Sequence, residues 1–251
     1  GHELVLMDPA CFVLKPVSWL EALSRHGATS TAAPNFALAV TCERVPDSQL
    51  RRRSLDLSRL RSVFNGAEPV SPQTLRRFGE RFAAYGFRPE ALAPVYGLAE
   101  SSVGLAFPPP GRGPVIDRVR RSALELDGQA VPAAPDEAEV VEFAACGQPL
   151  RGHEVRVVDA AGRELPERRQ GRLEFRGPSA TSGYFRNPEA SRELRRGDWL
   201  DTGDLAYLAG GDIYLTSRVK DMIIRAGRNI YPQEVEEAVG AIEGVRKGCV
   251  A

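Results

Sequence analysis

Asp204 and Arg218 are residues whose types and spacing suggest chemistry. Asp204 closes Thr202-Gly203-Asp204, and the chain then runs LAYL, a Gly-Gly-Asp turn and IYLTSR. That is the pattern of a β-hairpin whose ends come back together, which brings Asp204 near Arg218. A carboxylate that only accepts hydrogen bonds, beside a guanidinium that only donates them, suits a ribose diol or a phosphate ester. Taken alone, the pair reads first as an ordinary salt bridge across a hairpin.

Further candidates lie upstream. A strand expected over residues 90–97 runs into Tyr96-Gly97-Leu98-Ala99-Glu100-Ser101. Tyr96 offers a face on which a purine can stack, and Glu100 offers a carboxylate for Mg²⁺ bridging ATP phosphates. The strand RSVF opens into Asn65-Gly66-Ala67-Glu68-Pro69. Such a glycine turn lets backbone approach a flat ring closely, although by itself it is only a strand-to-helix turn. Asn35 and Phe36 stand where a strand runs into a helix, and ligands in open α/β sheets collect at the carboxyl ends of strands. Core packing is the default role of a single Phe.

Beyond Arg218 come Val219-Lys220-Asp221-Met222-Ile223-Ile224, then Gly227-Arg228-Asn229, then Tyr231-Pro232-Gln233-Glu234-Val235-Glu236. With the TGD segment, this run resembles the adenylate-forming superfamily: acyl-CoA synthetases, fatty acyl-AMP ligases, luciferases and peptide-synthetase adenylation domains. An ordered match of about thirty-five residues is far more specific than a short motif. FNGAEP and YGLAE are closest to the fatty acyl-AMP ligase forms, with Ala99 where many relatives carry Thr.

The resemblance implies an enzyme that uses ATP and Mg²⁺ to activate a fatty acid as acyl-AMP, releasing pyrophosphate, and passes the acyl group to an acyl carrier protein thiol or to CoA. It implies that Gly66, Ala67, Glu68, Tyr96 and Gly97 hold adenine, that Glu100 holds the metal, and that Asp204 and Arg218 grip the ribose. Asn35 and Phe36 wall the acyl tunnel on this reading, and Lys220 is the hinge before a small C-terminal domain. Gly177-Pro178-Ser179 and Gly183-Tyr184-Phe185 match a family segment read as structural. The family's phosphate loop is expected upstream of Gly1 and its catalytic Lys beyond Ala251, so the chain reads as an inactive piece of a longer protein. A non-catalytic nucleotide- or acyl-binding module that kept the fold is the alternative.

The elements that must position these residues are of two kinds. Residues 3–7 (ELVLM) read as a buried strand, and PVSWLEALSRH as a helix with Val17, Leu20 and Leu23 on one face. His26 ends that helix. ATSTAAP reads as a strand, NFALAVT as the start of a helix, and Ser71-Pro72 as the start of another carrying Leu75, Phe78 and Phe82. Alternation of this kind predicts parallel strands with crossover helices. Arg51 to Arg53 read as a solvated basic run. Residues 107–145, opening FPPPGRGP, read as an exposed connection with at most one short helix, and by resemblance as an insertion of the fatty acyl-AMP ligases. HEVRVVD and GRLEFRG then alternate with period two, which predicts an antiparallel, barrel-like sheet.

The fold class expected is therefore α/β, with parallel βα layers, an antiparallel β-barrel-like subdomain and the start of a small α+β C-terminal domain. The divisions expected are 1–145, 146–218 and 219–251. Composition is compatible with this: 251 residues, 43% of them hydrophobic, suffice for a sizeable core. Thirty-three basic residues balance thirty-three acidic ones, so no global field argues for nucleic acid or an anionic membrane. No run is long enough for stable membrane insertion. Cys11, Cys42, Cys146 and Cys249 show no paired spacing and read as reduced, packed thiols of a cytoplasmic protein. His2, His26 and His153 have no metal-binding spacing. Residues 248–251 read as a strand cut in mid-course.

Overall fold

The computed structural model describes residues 3–225, 228–240, 242, 244 and 245. His2, Gly227, Cys249, the terminal strand expected over 248–251 and the side chain of Gln233 lie outside the described residues. The chain forms two compact units, one comprising residues up to Ala93 with Pro110–Pro114, the other Pro94–Pro109 and the chain from Val115 onward.

The first unit opens with α1 (Pro9–Leu14), started by Asp8, whose carboxylate accepts the Ala10 N–H. α2 (Val17–Arg25) buries Val17, Leu20 and Leu23, as the spacing predicts, and His26 is its C-cap. β1 (Ser30–Ala32) leads into α3 (Asn35–Arg44) and α4 (Asp47–Arg51), followed by β2 (Ser62–Asn65), α5 (Pro72–Phe82) and β3 (Leu92–Pro94). The sheet order is β1-β2-β3, with β1 and β2 parallel. Ser71 caps α5 by accepting the Thr74 N–H, and the helix buries Leu75, Phe78 and Phe82. Each such side chain contributes roughly 1.5–3 kcal/mol relative to an exposed one.

Local reading fails at three places here. Residues 3–7 form no strand, and Leu4 and Leu6 are exposed; apolar content alone cannot supply the ladder partner a strand requires. The strand expected over 90–97 is confined to β3, because Pro89–Ala91 forms a 3₁₀ turn. Arg53 is not solvated like Arg51 and Arg52: it pairs with Glu21 and donates to the Gln49 carbonyl. The hydrogen bond from Arg53 holds the Glu21 carboxyl below its ordinary range.

The second unit contains β4 (Ala106–Phe107), β5 (Ile116–Arg120), α6 (Arg121–Asp127), β6 (Val140–Ala144), β7 (Gln148–Pro149), β8 (Glu154–Val158) and β9 (Gly171–Arg176). α7 (Pro188–Leu194), β10 (Arg195–Arg196), β11 (Trp199–Ala209), β12 (Asp212–Arg218), β13 (Ile223–Arg225), β14 (Arg228–Ile230) and α8 (Pro232–Gly240) follow. β8, β9 and β11 are successive antiparallel neighbours, and both β10 and β12 pair with β11, giving the curled antiparallel sheet. Leu105, Ala106, Val157, Leu173, Phe175 and Ile213 form its core.

Residues 107–145 are not an exposed connection. β5 and β6 pair over five residues, and Val119, Leu124 and Ala130 are fully buried. Val141 and Phe143 join them around Tyr207, Tyr214 and Tyr231. α6 is the single helix, ended by Gly128 in the left-handed region at φ 63°. Proline and glycine mark the turns at the ends of this segment, while apolar alternation between them carries a core. The same core reaches the chain beyond Lys220: Tyr231 is 1% exposed, and Arg121 grips Glu234 of α8 through two hydrogen bonds of 2.6 and 2.7 Å.

Cys42 and Cys146 are buried free thiols, pushed up by burial to about 11 and about 12. Cys11 is free but exposed, not packed as expected. Among the described residues no helix is long and apolar enough to cross a membrane.

Candidate active site

The Asp204 hairpin is built around an irregularity that alternation does not reveal. Asp201 pairs with Glu174 and Leu205 with Arg172, so β11 carries two more residues than β9 across this interval. Gly203 takes φ 75°. Thr202 Oγ1 donates to the Leu173 carbonyl and accepts the Asp204 N–H, at 2.8 and 3.1 Å. A bulge of this kind re-aims side chains, and the one after it is Asp204. Across the hairpin Asp204 pairs with Arg218, near which the sequence places it, after a register shift between Leu205 and Ala206 that gives β12 one extra residue; Oδ1 lies 3.3 Å from Arg218 Nε.

Tyr96 completes the group by donating its O–H to Asp204 Oδ2 at 2.5 Å. The Tyr96 ring is only 6% exposed and packs in the core of the curled sheet, so the hydroxyl is the part that meets the carboxylate. Burial pushes the Asp204 carboxyl up, and the Tyr96 hydrogen bond and Arg218 partly offset this. Burial and the Asp204 charge raise the Tyr96 hydroxyl too, which keeps it a donor. The result is a desolvated carboxylate oriented from two sides, beside an Arg218 side chain that is 72% exposed.

Glu100 lies on a 3₁₀ turn, Ala99–Ser101, in a loop closed by pairing of Tyr96 with Ala106. Ser102 at φ 60° and Val103 at φ 137° follow it, both in a region L-residues avoid. Such conformations cost on the order of 1–3 kcal/mol each and persist only where the surroundings enforce them. Gly97 is required by the same geometry, because a Cβ there would lie 1.6 Å from the Val103 carbonyl oxygen. The Glu100 carbonyl accepts the Thr181 N–H at 2.8 Å, and the Glu100 carboxylate accepts the Tyr184 O–H at 2.5 Å. That hydrogen bond pushes the Tyr184 hydroxyl up to about 12. Sequence reasoning assigns Tyr184 a structural role; its half-exposed ring and its bond to Glu100 place it at the site. The available signal was a hydroxyl-bearing aromatic in a loop of small residues, with no apolar period to draw it into a core.

In the first unit, Asn35 Oδ1 accepts the Ser71 N–H at 3.1 Å, and Glu68 Oε1 accepts the Phe36 N–H at 2.5 Å. The two strand-to-helix turns are thus tied to each other, Glu68 serving as a cap for α3. Asn65 Nδ2 donates to the Ala33 carbonyl. Gly66 is half-buried, Ala67 and Glu68 are exposed, and Ala67 takes φ 67°. Phe36 is 48% exposed, which removes core packing as its explanation. Lys220 is exposed in a turn where the Asp221 and Met222 N–H groups both donate to the Arg218 carbonyl.

Among the described residues no group of three His, Cys, Asp or Glu could hold a metal ion. A lone carboxylate does fit Mg²⁺ brought by a nucleotide, because that ion keeps waters and takes one or two carboxylates plus substrate phosphates. Glu100 supplies such a carboxylate.

A model of the family described as AMP-binding enzyme matches residues 1–185, well over half of the chain. The chain belongs to the AMP-binding enzyme family. This AMP-binding enzyme chain is 36% identical to the long-chain-fatty-acid–AMP ligase FadD32 of Mycolicibacterium smegmatis, over 100% of its own length and 43% of the relative's. It is 34% identical to the medium-chain-fatty-acid–[acyl-carrier-protein] ligase JamA of Moorena producens, over 95% of its length and 42% of the relative's. A solved structure from work on fatty acyl-adenylate ligases of E. coli and L. pneumophila superposes with a TM-score of 0.88 at 36% identity, covering 94% of this chain and 43% of that one. The chain thus spans less than half the length of the relatives it matches, and it carries the mixed α/β fold of adenylate-forming enzymes.

Proposed function

We propose that the protein containing this chain activates a fatty acid with ATP. A carboxylate oxygen of the acid attacks the α-phosphorus, the bond from that phosphorus to the bridging oxygen of the β-phosphate breaks, and pyrophosphate leaves, giving acyl-AMP. The observation that carries this reading is the Tyr96–Asp204–Arg218 group, an oriented carboxylate with an exposed guanidinium beside it. Asp204 accepts the ribose hydroxyls, and Arg218 donates to ribose or phosphate oxygens. Gly66, Ala67 and Glu68, with Tyr96 and Gly97, receive adenine. Glu100 would hold Mg²⁺, which would supply charge neutralisation on the phosphates. Asn35 and Phe36 line the acyl pocket, and Lys220 is the hinge before a C-terminal domain that begins after Arg218. Positioning and charge neutralisation are the protein's contribution to such a transfer.

The acceptor we propose is an acyl carrier protein thiol, with CoA the lesser one, in the cytoplasm. Support comes from the packed segment 107–145, which holds Tyr231 and, through Arg121, Glu234 of α8. A chain held beyond its hinge does not rotate freely to admit CoA. JamA, by its name, acts on an acyl carrier protein. The test uses full-length protein with fatty acid, ATP and CoA. Fatty-acid-dependent exchange of pyrophosphate into ATP and accumulation of acyl-AMP are expected, and Asp204→Ala lowers the apparent ATP affinity. Unchanged affinity in that variant refutes the ribose assignment, and efficient acyl-CoA formation refutes the acceptor.

A further inference from the structure

The strained Glu100 turn raises the question of what holds it. Several of its polar groups are met by one segment, residues 177–184. Ser102 Oγ donates to the Ser179 carbonyl at 3.3 Å, the Thr181 N–H to the Glu100 carbonyl at 2.8 Å and the Tyr184 O–H to the Glu100 carboxylate at 2.5 Å. Ser101, 1% exposed, places its Oγ 3.3 Å from the Gly104 carbonyl and 3.0 Å from Ser179 Oγ. Ser179 Oγ in turn lies 2.6 Å from His153 Nε2. The imidazole is clamped from behind, since a Cβ on Gly177 would lie 2.3 Å from His153 Cδ2.

Proton accounting gives this chain a direction. The Ser101 hydroxyl spends its one proton on the Gly104 carbonyl, so it accepts from Ser179; Ser179 then accepts from His153, which must carry its proton on Nε2. His153 Nδ1 is left as a buried acceptor without a partner. That is the cheaper arrangement, because the other tautomer would bury an unpaired N–H and supply Ser179 with no donor.

We propose that His153, Ser179 and Tyr184 are positioning residues that hold the Glu100 carboxylate for a nucleotide-borne divalent cation. Tyr184 orients the carboxylate directly; His153 and Ser179 fix the turn that bears it. The proposal rests on the reading of Glu100 given above.

Full-length protein tests it through binding and exchange. Calorimetry gives the ratio of ATP affinity with Mg²⁺ to that in EDTA, and mass spectrometry gives amide hydrogen exchange over residues 99–104 without ligand. Loss of one hydrogen bond to a charged group corresponds to about tenfold, so Tyr184→Phe lowers the Mg²⁺-dependent gain by about tenfold. Ser179→Ala lowers that gain and speeds exchange in the turn, and Ser179→Thr, which keeps the hydroxyl, restores both. Glu100→Gln is measured in parallel: if it leaves the gain intact, the metal reading of Glu100 fails. If Glu100→Gln abolishes the gain but Tyr184→Phe leaves it at the wild-type value, or Ser179→Ala leaves exchange unchanged, the positioning proposal alone is overturned.

Discussion

Replacing Tyr96 by Phe separates two roles that one residue could play toward a nucleotide. The ring is 6% exposed among Leu105, Phe175 and Ile213, and Phe fills the same space, so the variant removes little beyond the O–H that meets Asp204 at 2.5 Å. A hydrogen bond to a charged group contributes about 1.5–3 kcal/mol, equivalent to about 10- to 150-fold in affinity. The bond exists before ligand arrives, so only the part of it that orients Asp204 toward ribose appears in binding, and the lower end, about tenfold, is expected. The assay is calorimetric titration of full-length protein with AMP, which probes the ribose without a metal. Repeating it with 2′,3′-dideoxy-AMP closes a cycle: the losses from Tyr96→Phe and from removing the diol must be less than additive if they act through the same carboxylate. Binding of AMP by Tyr96→Phe within about twofold of wild type, or full additivity in the cycle, refutes the hydroxyl's role. A large loss confined to Tyr96→Ala would then leave only ring stacking.

Two further perturbations address the same unit. Asp204 has its carboxyl raised by burial in the folded state, so the folded protein binds more protons than the unfolded one between the two values, and stability falls as pH rises through that window. Above it the deficit is constant; Asp204→Asn removes it, and the variant is expected to unfold at higher urea than wild type at neutral pH while binding AMP more weakly. A lower midpoint at neutral pH contradicts the sign. Gly97→Ala forces a Cβ to within 1.6 Å of the Val103 carbonyl oxygen. The Glu100 turn must then open, raising exchange over residues 99–104 and lowering the Mg²⁺-dependent gain in ATP affinity; wild-type exchange there would show that the turn is not held by this approach.

Much of the fold was legible because its causes are local. Val17, Leu20 and Leu23 recur at helical spacing, Ser71-Pro72 starts a helix by capping, and the hairpin turn at Gly210-Gly211 brings Asp204 near Arg218, although a register shift between Leu205 and Ala206 sets the final pairing. Each depends on residues within a turn or a hairpin of one another. The same local reading misjudged residues 3–7 and 107–145, since whether an apolar run finds a partner is settled by distant chain. The contacts that shape the candidate site are of that distant kind. Tyr96 meets Asp204 across 108 positions, Tyr184 meets Glu100 across 84, and Arg121 meets Glu234 across 113. Motif order could nominate Tyr96, Glu100 and Asp204 for a nucleotide, but spacing along the chain says nothing about which hydroxyl faces which carboxylate. Those pairings, with the bulge that aims Asp204 and the left-handed residues behind Glu100, follow from strand register and packing, which only the folded chain defines.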